Sequence, residues 1–144
     1  FRSINIKLKY VKQDTKEKLT NKYSRAMLNF GHSVGHALET FYKYKKNLNH
    51  GEAVSIGMIV ESKISNDLGY LSNKNLDKII NHFKKANLKI YDKNLKNDKI
   101  FNILLKDKKN LNNKINMVLI NNIGKSFFAR NLNQNKINEI LKEI

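Results

Sequence analysis

Apolar residues recur at helical spacing as far as Lys106 and then change period, and that switch constrains the architecture more than any other feature of this chain. Met27, Leu28, Val34, Ala37, Leu38 and Phe41 share one face of a helix predicted over residues 27–44. His50-Gly51-Glu52 opens a second helix, running through Ile56, Ile59, Val60 and Ile64 to a stop at Gly69. It is apolar on more than one face, so it is expected to be buried. Leu76, Ile79, Ile80 and Phe83 form the stripe of a third helix over 73–86, and Ile100, Phe101, Leu104 and Leu105 that of a fourth over 98–106. Residues 115–120 and 126–130 then flank Ile123-Gly124-Lys125, which predicts two short strands around a turn. A last helix is predicted over 136–144. The segment 3–11 fits helix or strand, and 14–24 is polar enough for a surface loop. The fold class is mainly α, with a small antiparallel β-hairpin near the C-terminus.

At 144 residues the chain is the size of one domain, and a single unit over 1–144 is expected. It begins at Phe1 rather than Met with no charged-then-apolar leader, so it reads as the middle of a longer protein without a signal peptide. The longest apolar runs fall far short of the roughly 20 residues a membrane span requires, and a soluble, cytoplasmic domain is expected. Cysteine is absent, so any metal must be held by histidine and carboxylate. The net charge of +16 invites a nucleic-acid reading. However, the lysines are scattered along every segment, form no block and do not alternate with stacking aromatics, which favours a generic solvated surface.

Three of the four histidines lie in Leu28-Asn29-Phe30-Gly31-His32-Ser33-Val34-Gly35-His36-Ala37-Leu38-Glu39 and the following His50-Gly51-Glu52-Ala53-Val54. On a helix, His32 and His36 at i and i+4 address one small volume, and His50 at the mouth of the next helix can fold back to meet them. Converging neutral imidazoles suit a zinc-type ion, with a carboxylate or water completing the sphere. Taken alone, a histidine pair at this spacing is more often packing or surface. Gly31 and Gly35, each one residue before a histidine, add weight, because they remove side chains where a ligand would approach the backbone. His82, in a lysine-rich helix, reads as a surface residue.

The run Arg25-x-x-Leu28-Asn29-Phe30-Gly31-His32-x-x-Gly35-His36-Ala37-x-Glu39, with His50-Gly51-Glu52-Ala53-Val54-x-x-Gly57-Met58, resembles the central signature of the 3-dehydroquinate synthases of the shikimate pathway. Ser3-Ile4-x-x-Lys7, Val11 and Asp14 to Glu17 are similar to the segment before that signature. Asp107-Lys108-Lys109-Asn110 ahead of Met117-Val118-Leu119 resembles the C-terminal motif. The spacing from Lys7 to Arg25 is longer than usual, and Thr15 stands where an acidic residue is common.

The resemblance implies a carbon–oxygen lyase that converts 3-deoxy-D-arabino-heptulosonate 7-phosphate to 3-dehydroquinate and phosphate, using NAD as a regenerated oxidant and a divalent metal, Zn2+ or Co2+. It places metal ligands at His32 and His50, with the third ligand, a glutamate, on an N-terminal NAD-binding half that precedes this domain. It makes His36 a substrate contact and proton-transfer group. Lys7, Arg25 and Asn29 become contacts to the substrate's carboxylate and phosphate, with one of Lys108 and Lys109 as a further anion contact. No glycine-rich dinucleotide loop occurs in the sequence, so the piece alone is expected to have no turnover and at most weak metal affinity. A homodimer is also implied. The rival readings are another sugar phosphate cyclase, such as a 2-deoxy-scyllo-inosose synthase, and a noncatalytic basic module that binds nucleic acid. Lys7 together with Arg25 favours the dehydroquinate reading.

Overall fold

The computed structural model describes residues 1–16, 19, 23–44, 48–107, 110 and 114–144. In chain order the elements are α1 (Arg2–Gln13), a 3-10 turn (Arg25–Asn29), α2 (His32–Phe41), α3 (His50–Asp67), α4 (Asn73–Lys85), a second 3-10 turn (Lys93–Lys96), α5 (Asp98–Leu105), β1 (Ile115–Asn122), β2 (Lys125–Leu132) and α6 (Gln134–Glu143). The chain is thus mainly helical, with an antiparallel hairpin near its C-terminus. The ambiguous first segment is helix, and it buries none of its residues.

α3 is the centre. Ala53, Ile56, Ile59, Val60 and Ile64 are buried on it, as are the polar residues Ser55, Glu61, Ser62 and Ser65. Burial of those hydroxyls is tolerable because each is bonded. Ser62 Oγ donates to the Met58 carbonyl at 2.7 Å and Ser65 Oγ to the Glu61 carbonyl at 2.7 Å, while Ser65 also accepts from the Ile120 N–H of β1 at 3.2 Å. Around α3, the side chains Val34 and Leu38 of α2, Leu104 of α5, Ile115 and Leu119 of β1, and Ile137 and Ile140 of α6 complete one apolar core. α4 packs beside α3 with its apolar stripe half-buried and none of its residues buried.

The hairpin pairs Ile115 with Leu132, Val118 with Phe128 and Asn122 with Lys125. It turns at Gly124, whose φ of +78° suits a glycine. Both strands run about two residues beyond the sequence expectation at the turn or the far end.

Two expectations are corrected. The helix predicted over 27–44 is broken into the 3-10 turn and α2, and it stops at Phe41. Gly31 between the two pieces is left-handed, with φ +84°. Periodicity alone continues through this point, but the backbone turns because it is pressed against α3. A Cβ on Gly57 would lie 1.9 Å from the Gly31 carbonyl oxygen, and one on Gly31 would lie 2.8 Å from that of Val54. The second correction follows from the same contacts: Gly31 and Gly35 make room for the α3 backbone, not for a ligand. Among the described residues, no helix is long and apolar enough to cross a membrane.

Candidate metal and anion site

His32 is the first residue of α2, His36 lies one turn along it, and His50 is the first residue of α3. The start of α3 is fixed by a capping box, in which the Asn49 side chain accepts from Glu52 N–H at 2.9 Å and the Glu52 carboxylate from Asn49 N–H at 3.0 Å. With the two helix starts packed side by side, the three imidazoles converge. Ring centroids are 5.4 Å apart for His32 and His36, 5.5 Å for His32 and His50, and 6.2 Å for His36 and His50.

Two of the rings are oriented by acceptors behind them. His32 Nδ1 lies 3.3 Å from the Phe30 carbonyl oxygen, and His50 Nδ1 lies 3.0 Å from Glu39 Oε1. A carbonyl and a carboxylate can only accept, so Nδ1 is the donating nitrogen in both rings, and a neutral ring so oriented offers Nε2 as its ligand atom. Glu39 is only 8% exposed, whereas the His50 side chain is 59% exposed. One ligand atom each from His36, Glu39 and His50 fall within 4.8 Å of one another, a grouping that takes in His50 but not His32. Imidazole nitrogens and a carboxylate, with no thiolate, are a donor set that fits a zinc-type cation.

Beside this cluster lies a cleft lined by Lys7 of α1, Arg25 and Asn29 of the 3-10 turn, and His32. The turn is moored by Asp14, a 4% exposed carboxylate that accepts from Leu19 N–H at 3.2 Å and Arg25 N–H at 3.0 Å. A second cleft carries His36, Glu39 and His50 along with Lys106 and Asp107. The structure therefore gathers Lys7, Arg25, Asn29, His32, His36 and His50 into one neighbourhood. Lys108 and Lys109 lie outside the described residues. His82 is exposed, away from the cluster.

Sequence reasoning assigned no role to Glu39 or to Glu61. Glu39 had a readable signal, since it follows His32 and His36 at i+7 and i+3 on one helical face. Glu61 offered only its place beside Ile59 and Val60 in a helix expected to be buried, which says nothing of its partners. It is fully buried, and its oxygens accept the Gly31 N–H, the Ser33 N–H at 3.1 Å and the Val34 N–H at 3.3 Å.

The family model described as 3-dehydroquinate synthase C-terminal matches residues 1–110. The chain is 45% identical over 87 residues to a 3-dehydroquinate synthase of Caldanaerobacter subterraneus subsp. tengcongensis, covering 60% of this chain and 23% of the relative. It is 43% identical over 89 residues to that of Thermodesulfovibrio yellowstonii, covering 62% and 23%. The matched part thus spans about a quarter of these curated relatives, at 23% of each. Among solved structures, a 2-epi-5-epi-valiolone synthase from Streptomyces hygroscopicus subsp. jinggangensis with NAD+ and Zn2+ bound superposes with a TM-score of 0.79 at 23% identity, over 97% of this chain and 37% of that one. A 2-deoxy-scyllo-inosose synthase complexed with carbaglucose-6-phosphate, NAD+ and Co2+ gives 0.64 at 27% identity, over 83% and 34%.

Proposed function

Because the chain belongs to the 3-dehydroquinate synthase C-terminal family, we propose that it is the metal- and substrate-binding half of an enzyme converting 3-deoxy-D-arabino-heptulosonate 7-phosphate to 3-dehydroquinate and phosphate. The other half, an N-terminal NAD-binding domain, lies outside these 144 residues. It supplies the dinucleotide site and a glutamate ligand, and the assembled protein is a homodimer. The observation that carries this reading is the meeting of three imidazoles, at 5.4 to 6.2 Å, beside a cleft lined by Lys7, Arg25 and Asn29.

In this reading His32 and His50 hold the cation through Nε2, each kept in the required tautomer by the acceptor at its Nδ1. When bound, a zinc-type cation would supply Lewis acidity toward a substrate hydroxyl, and NAD held by the other half would supply reversible oxidising power. His36 is exposed on the cleft side of α2 and moves protons to and from the substrate. Arg25 offers a planar fork to a carboxylate or phosphate, Lys7 a point charge from α1 and Asn29 an amide beside them, while Lys108 or Lys109 adds a further positive contact. Holding a flexible carbon chain at both anionic ends lets one site serve successive steps.

A second reading, favoured by the likeness to 2-deoxy-scyllo-inosose synthase, is a cyclase that closes a different ring from a sugar phosphate without a carboxylate. Phosphate release by the protein joined to its NAD-binding half, with NAD and zinc, decides between them. Release from the heptulosonate phosphate is expected, with His36→Gln lowering kcat by about 100- to 10,000-fold. Release only from a hexose phosphate favours the second reading, and release by the 144-residue chain alone overturns the division of labour.

A further inference from the structure

The buried carboxylate of Glu61 has no place in the chemistry above, yet it touches the backbone on both sides of His32. A carboxylate inside an apolar helix needs a full set of donors to be tolerated. Its donors include the N–H groups of Gly31, Ser33 and Val34. They belong to the first turn of α2, where backbone N–H groups have no intrahelical partner and the helix dipole favours negative charge. Ordinarily a side chain at the residue before the helix would cap them. That residue is Gly31, which provides no side-chain cap, and a Cβ there would collide with Met58 and Val54 of α3. The cap therefore comes from another helix.

That substitution has a geometric consequence. A local cap would hold the first turn of α2 to itself, whereas Glu61 holds it to α3, the helix that begins with His50. The same turn presents the Phe30 carbonyl that receives the His32 Nδ1 proton. We propose that Glu61 is a positioning residue for the metal site: by gripping the turn from which His32 projects, its carboxylate sets where the His32 ring stands relative to His50. This rests on the reading of His32 as a metal ligand.

Glu61→Gln retains size but replaces one accepting oxygen by an NH2 group that faces backbone N–H donors, so the turn must shift. In the protein joined to its NAD-binding half, zinc affinity measured by competition with a chromogenic chelator is expected to fall about 10- to 100-fold. The absorption bands of the cobalt-loaded protein are expected to change with it. A Glu61→Gln protein that melts earlier but binds zinc with unchanged affinity and gives an unchanged cobalt spectrum overturns the proposal, since that is the signature of a purely structural cap.

Should the variant fail to fold, amide hydrogen exchange in the unaltered protein decides. Coupling is reciprocal, so zinc is expected to slow exchange at Ser33 and Val34, and no change there overturns the proposal. His32→Ala in the same titration separates the two ideas. Unchanged zinc affinity in that variant removes the ligand assignment itself. Weakened affinity in His32→Ala with none lost in Glu61→Gln removes only the role of Glu61.

Discussion

At the scale of single residues, the two proposed ligand histidines are held by unlike acceptors, a neutral carbonyl behind His32 and a carboxylate behind His50. A carboxylate raises the basicity of the imidazole it holds more than a carbonyl does. Glu39→Ala is therefore expected to weaken zinc binding by about 10- to 100-fold, and Glu39→Gln, which keeps an accepting oxygen, by less, as read by chelator competition. His32, His36 and His50 were legible as a cluster because their spacing and flanking residues form a recognisable signature. Glu61 was not, because its partners are backbone groups 27 to 30 residues away. No pattern of side chains along the chain encodes such a contact.

At the scale of elements, the seam between α2 and α3 is closed by backbone against backbone. A methyl group on Gly57 would meet the Gly31 carbonyl oxygen at 1.9 Å, an atom that cannot swing aside. Gly57→Ala should cost about 1–3 kcal/mol or more by overpacking. Gly51→Ala, whose added carbon meets, among the described residues, only the Asn49 amide oxygen at 3.4 Å, should be neutral or mildly stabilising. Urea unfolding of both variants checks the contrast. The helices α3, α4, α5 and α6 and the hairpin were readable from apolar period and turn residues. The break at Gly31 was not, because it answers to a neighbouring helix rather than to local preference. The first segment stayed ambiguous for a related reason: α1 buries nothing, so its sequence carries no inward face to read.

At the scale of the whole molecule, one polar tie spans much of the chain. The Tyr42 hydroxyl donates to the Asp92 carboxylate, 2.9 Å from Oδ2, and accepts from Asn94 Nδ2 at 2.6 Å. Burial, reinforced by the Asp92 carboxylate, pushes the phenol above its ordinary value of 10.0. A raised phenol means that the folded state holds its proton longer than the unfolded chain does. The tie is then fully present below about pH 10 and is lost as pH climbs through the folded value. The stability difference between the unaltered protein and Tyr42→Phe should persist at neutral pH and vanish in strong alkali, as followed by urea midpoints across that range. Net charge proved a poor guide at this scale. The +16 is spread over the chain, while two of the cations that bear on the proposed chemistry, Lys7 and Arg25, line one cleft.

The glycine seam between α2 and α3 has one more consequence. Two rigid rods in direct main-chain contact leave the imidazoles at their tips little freedom to wander, so the entropy of assembling the nest is surrendered when the chain folds and not when the ion arrives. At the proposed metal site, an incoming cation would find the backbones that carry two of its ligands already in place, and less ordering would be left for the binding step.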